Sequence, residues 1–217
     1  MQTTRNISYI AVFTLLLVLL AGPPLPSVAS QHLDEPQQIV QDISVRLKEI
    51  LRNDRQRLKD DPEYVQSLAR EILLPYVDFD KVSSLVLGKT WRRATDEQRE
   101  QFSYQFQRLL VRTYSTAFHE MNDDWDIRFL PLRKNDTGDK VVVRIQVLRA
   151  SGGQPLDVLY RMHLQDSHWK AYDVQIEGIS LVTSYRSTFA KEVRNGGIKG
   201  LIERITELND SRVRPSA

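Results

Sequence analysis

Four stretches in which apolar and polar residues alternate constrain the fold of this chain more than any other feature. They span 125–132, 140–149, 156–165 and 169–176, and short turns rich in Gly, Asp and Ser separate them. Alternation with a period of two predicts β-strands with one apolar face, and short links make neighbouring strands antiparallel. We therefore expect a four-stranded antiparallel sheet with one apolar side and one largely solvated side.

Residues before and after these strands have helical periodicity. Asp61-Pro62 predicts a helix start, and Thr95 with Gln98 forms a capping-box pattern that opens the longest helix. Gly178 follows the last strand and is expected to turn it directly into a helix, which Asn195-Gly196-Gly197 ends. The predicted helices cover 35–58, 62–75, 78–88, a long segment from 95, 179–195 and 198–205. Helices, an antiparallel sheet and helices again predict an α+β fold with the helices over one sheet face.

The first thirty residues are typical of a secretory signal peptide. Arg5 precedes an apolar run over 7–21, Gly22-Pro23-Pro24 interrupts it, and small residues at 27–30 suit cleavage. The apolar run is shorter than the ~20 residues that a membrane span needs. We expect a cleaved signal peptide over 1–30, one domain over 31–209 and a charged tail over 210–217.

Cysteine content and charge exclude several classes of protein. The chain has no cysteine, so neither a lipid anchor on a cysteine nor a disulfide is available. It carries 30 Lys and Arg against 28 Asp and Glu, a net charge of +2. Such a balance provides no broad cationic field for nucleic acid. We expect a soluble periplasmic protein that does not bind nucleic acid.

The motifs for catalysis and for phosphate binding are incomplete. Gly178-Ile179-Ser180 matches half of a nucleophile elbow, but Val182 stands where the second glycine belongs. Gly178 alone does not form a phosphate loop. Asp173 is the one candidate general base, although the alternation of its strand points it away from the apolar face.

Metal binding is not expected either. The four histidines are His32, His119, His163 and His168, and none has ligand spacing with another ligand type. The sequence therefore predicts no metal site and no cofactor.

Apolar side chains from the sheet and from at least three helices are directed toward one space. An ordinary hydrophobic core explains this pattern, and so does a cavity for an apolar ligand. Periodicity alone leaves both explanations open.

Three segments carry a resemblance to a known family. They are VLGKTWRRATDEQREQFSYQFQRLLVRTY (86–114), WKAYDVQIEGISLVTSYRSTF (169–189) and GGIKGLIERI (196–205). In order and spacing they resemble the MlaC family, also called the toluene-tolerance auxiliary family, of periplasmic phospholipid-binding proteins. The resemblance covers roughly Leu73 to Ile205.

The resemblance implies a phospholipid carrier that is not an enzyme. Such a carrier moves lipids between the outer and inner membranes of a Gram-negative envelope and maintains outer-membrane lipid asymmetry. The implied partners are an outer-membrane lipoprotein complex and an inner-membrane ABC transporter with an MCE-domain ring. The implied fold is a curved four-stranded antiparallel sheet wrapped by helices around an apolar cavity, and we expect a monomer.

Alternate positions along the strands, and apolar positions at helical spacing along the helices, then give the residues expected around the acyl chains. These are Val82, Val86, Phe106, Leu110, Tyr114, Val143, Ile145, Val147, Tyr160, Met162, Tyr172, Val174, Val182, Tyr185 and Phe189. Arg92, Arg93 and Arg186 are the expected cations near the lipid headgroup.

Two other functions are compatible with the residues themselves. A sheet covered by helices can host an isomerase or hydrolase, with Asp173 or Tyr172 as the acid or base. A periplasmic adaptor with a solid core and no ligand is the other alternative.

Overall fold

From residue 34 onward the chain forms helices, then an antiparallel sheet, and then a final helix. The computed structural model describes residues 34–120, 124–133, 136 and 138–211, and for 115–120 it describes the backbone alone. The predicted signal peptide, His32, the side chain of His119 and the last residues of the predicted tail lie outside the described residues. The boundaries expected for the signal peptide and the tail therefore stay predictions.

The first predicted helix is interrupted at Asp54. Helix α1 spans Glu35–Asn53 and α2 spans Arg55–Asp60. Asp54 accepts a hydrogen bond of 2.5 Å from the Tyr64 hydroxyl, and the Arg57 guanidinium lies 3.8 Å from the centre of the Tyr64 ring. These contacts fix the break between the two helices.

The second predicted helix changes its winding before Pro75. Helix α3 spans Pro62–Leu68, a π-helical turn covers Ala69–Leu73, and a 3-10 turn covers Leu74–Tyr76. Asp61 caps α3 as predicted, since its carboxylate accepts the Tyr64 N–H at 2.9 Å. Proline has no N–H and its ring blocks a continuing α-helix, which explains the tighter final turn.

Three further helices follow, and their ends match the expected caps. Helix α4 spans Phe79–Leu87, the short α5 spans Lys89–Arg93 within the segment expected to be a connection, and α6 spans Asp96–Glu120. Thr95 N–H donates to Gln98 Oε1 at 3.1 Å, and Gln98 N–H donates to Thr95 Oγ1 at 3.2 Å. The predicted capping box is therefore confirmed.

The strands form one antiparallel sheet with the order β1-β2-β3-β4-β5. Their bounds are Trp125–Phe129, Lys140–Arg149, Leu156–Gln165, His168–Ile176 and Ile179–Ser180. The α+β fold and the antiparallel sheet are confirmed, with a short fifth strand that the sequence did not indicate. Glu177 and Gly178 have φ values of 48° and 81°, so they form the tight turn of a hairpin into β5 and not a direct turn into a helix.

The register gives the sheet a continuous apolar side, here called the inner face. Val143 pairs with Tyr160, which pairs with Val174, and Ile145 pairs with Val158. Because partners opposite each other share a face, the pairing places one set of residues on the same side. The inner face consists of Trp125, Ile127, Phe129, Val141, Val143, Ile145, Val147, Leu156, Val158, Tyr160, Met162, Leu164, Trp169, Ala171, Val174 and Ile176.

A β-bulge in β4 places Tyr172 on a different side of the sheet from the one that simple alternation predicts. The register moves from Arg161 opposite Asp173 to Met162 opposite Ala171, which leaves Tyr172 as the extra residue. Tyr172 was expected on the same side as Val174. It lies off the inner face, where its ring contacts the His163 ring edge-on at a centroid distance of 5.6 Å.

The last element, α7, spans Leu181–Asp210 and consists of the two predicted helices joined by a kink. Gly197 has a non-helical backbone with φ 66° and ψ −168°, so the break predicted at Asn195-Gly196-Gly197 is confirmed. The second helix ends at Asp210, five residues beyond the predicted 205.

Two clusters of buried side chains connect the helices to the sheet. The first cluster joins α1, α2 and α3 through Leu51, Leu58 and Val65, with Trp125 of β1 packed against it. The second, here called the helical core, joins α4, α6 and α7, with Tyr172 of β4 packed against it. The helical core consists of Val82, Val86, Leu87, Phe102, Phe106, Val182, Phe189, Leu201 and Ile205.

Truncating the helical core is expected to destabilise the fold strongly. Phe102 is fully buried and packs against Phe106 and Phe189 at centroid distances of 5.5 and 5.9 Å. Phe102→Ala should lower the free energy of unfolding by about 3–5 kcal/mol in urea denaturation. Tyr104→Ala, a control at a 59% exposed position on the same helix, should change it by less than about 0.5 kcal/mol. Equal effects would contradict this packing.

Candidate functional site

The residues expected around the acyl chains fall into two separate groups. Members from the helices lie in or beside the helical core. Val82, Val86, Phe106, Val182 and Phe189 belong to that core, whereas Leu110, Tyr172 and Tyr185 are partly buried against it. Tyr114 is 44% exposed. These helical residues pack mainly on one another.

Aromatic rings pack closely within the helical core. The Phe106 ring is 5.0 Å from the Tyr185 ring and 5.4 Å from the Phe189 ring, both in edge-on geometry. Burial raises the pKa of the Tyr185 phenol. Rings at these distances are in direct contact. This arrangement suits a structural core better than a wall around a lipid chain.

The remaining expected residues lie together on the inner face. Val143, Ile145 and Met162 are buried there, and Val147, Tyr160 and Val174 are half-buried. The register adds neighbours that the prediction did not select as site residues, among them Phe129, Val141, Val158 and Trp169, all of which are buried. Val141 and Val158 lie at alternate positions on the same strands as the selected residues, so the alternation in the sequence already predicts that they share this face.

Tyr160 is the polar residue at the centre of the inner face. Val143 and Val174 flank it on the neighbouring strands. Burial raises the pKa of its phenol, so the hydroxyl keeps its proton at neutral pH. No other residue in the described part of the chain forms a hydrogen bond with this hydroxyl. It offers one donor and one acceptor on an otherwise apolar surface.

The expected headgroup arginines lie beside the helical core. Arg186 donates from Nε to the Leu85 carbonyl oxygen at 2.8 Å, and its Nη2 donates to the same oxygen. That carbonyl is in the last turn of α4, where carbonyl groups lack a partner within the helix. The guanidinium provides the missing hydrogen bond. Arg92 and Arg93 are exposed at the end of α5. A headgroup role for these three residues stays a prediction.

Asp173 is buried and fully engaged with the start of α7. Its carboxylate accepts the Ser180 hydroxyl at 2.8 Å and the Val182 N–H at 3.1 Å. Ser180 in turn caps α7 by accepting the Thr183 N–H at 3.1 Å. A carboxylate at a helix N-terminus stabilises the helix dipole, so both residues have a structural role.

A second polar contact ties α4 to the sheet. Asp78 accepts the Lys81 N–H at 2.9 Å as the helix cap, and its other oxygen lies 2.8 Å from His163 Nε2. Lys81 Nζ lies 3.1 Å from His163 Nδ1, so Nδ1 accepts from the ammonium group and Nε2 is the nitrogen that donates to Asp78. Every nitrogen of this histidine is therefore engaged within the fold.

Metal ligands do not cluster in the described residues. Within those ranges no group of three or more His, Asp and Glu side chains is arranged to hold a metal ion. In the same part of the chain, no helix combines the length and the apolar character that a membrane crossing requires.

Comparison with protein families gives a match over most of the chain. The model described as MlaC protein matches residues 41–207. The chain belongs to the MlaC family. The resemblance seen in the sequence is confirmed.

Two curated proteins are similar to this chain over most of its length. Toluene tolerance protein ttg2D of Pseudomonas putida is 32% identical over 183 residues, covering 84% of this chain and 82% of the relative. The intermembrane phospholipid transport system binding protein MlaC of Haemophilus influenzae is 24% identical over 174 residues, covering 79% and 81%.

A solved structure shares the fold and holds a ligand. It is the phospholipid-binding protein of Ralstonia solanacearum in complex with a phospholipid. The two chains superpose with a TM-score of 0.70 at 28% identity, over 80% of this chain and 94% of the other.

Removing the Asp173 carboxylate should weaken the fold. Asp173→Ala leaves the Ser180 hydroxyl and the Val182 N–H without their acceptor, so the free energy of unfolding should fall by about 1–3 kcal/mol in urea denaturation. Asp157→Ala, at an exposed carboxylate on β3, should change it by less than about 0.5 kcal/mol. A catalytic Asp173 predicts the reverse, with stability unchanged and an enzymatic turnover lost.

Proposed function

We propose that this protein is a soluble periplasmic carrier that binds a phospholipid with its acyl chains against the inner face. The observation that carries the proposal is the superposition on a phospholipid-bound protein over most of both chains. The curated relative named as an intermembrane phospholipid transport binding protein supports the same function.

The inner face has the chemistry that acyl chains require. It presents aliphatic and aromatic side chains on four neighbouring strands, and the cluster of α1, α2 and α3 packs against Trp125 at its β1 end. Each methylene kept from water contributes ~0.8 kcal/mol, so ~30 methylenes of a diacyl lipid do not cross water unshielded. An apolar face shields them with few polar contacts.

Tyr160 supplies the polar contact expected beside the chains. Its neutral hydroxyl is a hydrogen-bond donor in apolar surroundings, and an ester carbonyl of a glycerolipid is a matching acceptor. The cavity in this proposal lies between the inner face and helices α1 to α3, which reach it at Trp125 and Trp169.

The transfer of the lipid needs no energy from the carrier itself. Membrane interior and protein cavity are both apolar, so exchange between them is nearly balanced and the direction comes from the partners. We propose an outer-membrane lipoprotein complex and an inner-membrane ABC transporter with an MCE-domain ring as those partners. The signal-like segment over 1–30 supports export, and without cysteine the chain has no site for a lipid anchor on that residue.

The two alternatives are less well supported. An isomerase or hydrolase would need Asp173 as a free acid or base, whereas its carboxylate is engaged with Ser180 and the backbone of α7. An adaptor without a ligand does not explain why the Tyr160 hydroxyl lies within the apolar inner face without a hydrogen-bond partner among the described residues.

Purification of the secreted protein tests the carrier against both alternatives. Organic extraction and native mass spectrometry should find stoichiometric phospholipid on the carrier. Protein that is free of lipid after gentle purification would favour the adaptor.

A charge on the inner face should remove the ligand while the protein still folds. Val147 is on the inner face, and Leu148 is next to it on the opposite side of β2; both are half-buried. Val147→Glu should sharply reduce the phospholipid carried per protein because a carboxylate at an apolar site requires desolvation. Leu148→Glu, the matched control, should keep wild-type loading in native mass spectrometry. Equal loading of both folded variants would remove Val147 from the lipid site.

A further inference from the structure

A concave pocket lies at the end of the sheet where β3 turns into β4. It has a volume of about 460 Å³, within the usual range for small-molecule sites. Its apolar lining includes Ile39 of α1, Tyr76 of the 3-10 turn and Trp169 of β4. Its polar lining includes Glu35, His168 and Lys170. We call it the end pocket.

Trp169 connects the end pocket to the inner face. It is buried and pairs with Leu164, and two positions further along β4 Ala171 pairs with Met162 on the same face. The Trp169 side chain therefore belongs both to the inner face and to the wall of the pocket. The end pocket therefore adjoins the inner face at Trp169.

The backbone of Trp169 provides hydrogen-bonding groups at the pocket. Leu164 N–H donates toward β2, to the Asp139 carbonyl at 2.9 Å, so the groups of its partner Trp169 point away from β3. Ala171 has the same orientation, and its carbonyl accepts the Asp78 N–H at 2.9 Å on that side of β4. The N–H of Trp169 is thus directed to the edge where the pocket lies and suits a phosphate oxygen.

The charges of the end pocket have opposite signs. Within the described residues, neither Glu35 nor Lys170 has an ion-pair partner. His168 donates from Nδ1 to the Asp166 carbonyl at 2.7 Å, which leaves Nε2 available to a ligand. A cation beside a backbone N–H suits a phosphate, and a carboxylate in the same pocket suits an ammonium group.

We propose that the end pocket binds the headgroup of a zwitterionic phospholipid, with the phosphate at Lys170 and the amine at Glu35. This inference rests on the proposed function and names the headgroup class that the carrier prefers. It assigns the headgroup to the end of the inner face, whereas Arg186 and its neighbours lie beside the helical core.

Lipid uptake from vesicles of phosphatidylethanolamine and phosphatidylglycerol in equal amounts tests the proposal. Mass spectrometry of the re-isolated protein gives the total lipid and the ratio of the two lipids. Glu35→Gln should lower the ethanolamine-to-glycerol ratio about two- to fivefold at unchanged total loading, the range of one exposed ion pair. Lys170→Gln should lower the loading of both lipids by a similar factor, since both carry the phosphate.

Matched variants separate these effects from a general change in surface charge. Glu63→Gln removes an exposed carboxylate from α3, and Lys59→Gln removes an exposed cation from α2. Both controls should keep the wild-type amount and ratio, with thermal melting confirming that every variant is folded.

Three results would overturn the assignment. Wild-type amount and ratio in folded Glu35→Gln and Lys170→Gln would exclude the end pocket, and so would an equal change in the Glu63→Gln or Lys59→Gln control. In both cases a loaded wild-type protein leaves the carrier function intact. A wild-type protein that takes up neither phospholipid would refute the carrier function itself, and the headgroup assignment with it.

Discussion

The pleat of β4 is the constraint on which the rest of the structure depends. A strand turns each successive side chain to the opposite side, so one strand of fixed parity cannot place both Trp169 and Val174 on the inner face. The bulge at Tyr172 resolves this conflict by adding one residue, after which Ala171 and Trp169 are again on the inner side. The extra residue is itself used, since its ring packs against the helical core. One irregularity therefore extends the apolar face and attaches the helices to the sheet.

Carboxylates at helix starts fix the position of those helices. Asp78 caps α4 and contacts His163 of β3, and Asp173 of β4 binds the first turn of α7. In both cases the partial positive charge of a helix N-terminus meets an acidic group that the sheet holds in place. The two contacts orient α4 and α7 on the side of the sheet opposite the inner face. As a result, the apolar residues of the inner face do not pack against α4 and α7.

Local rules predicted the elements well, because their causes are local. The bounds of β2 and β3, the capping box at Thr95 and the cap at Asp61 follow from alternation and hydrogen bonding within a few residues. The sequence carries less information about contacts between residues that are distant in the chain. It predicts one shared space for the aromatic residues of α6 and α7 and the sheet, whereas Phe106 and Phe189 pack within the helical core. Periodicity tells which side of an element is apolar and not which element lies opposite. Arg186 was likewise chosen for its charge, whereas its bond to Leu85 depends on the crossing of two helices.

The separation of the helical core from the inner face gives the protein two independent hydrophobic regions. The rings of Phe102, Phe106 and Phe189 stabilise the fold through contacts among α4, α6 and α7, and no member of this cluster lies on the inner face. Gain or loss of a bound molecule on the sheet therefore leaves the aromatic contacts of the helical core in place. In the proposed carrier these helices keep their packing with and without a ligand, and a substitution on the inner face removes no contact within the helical core.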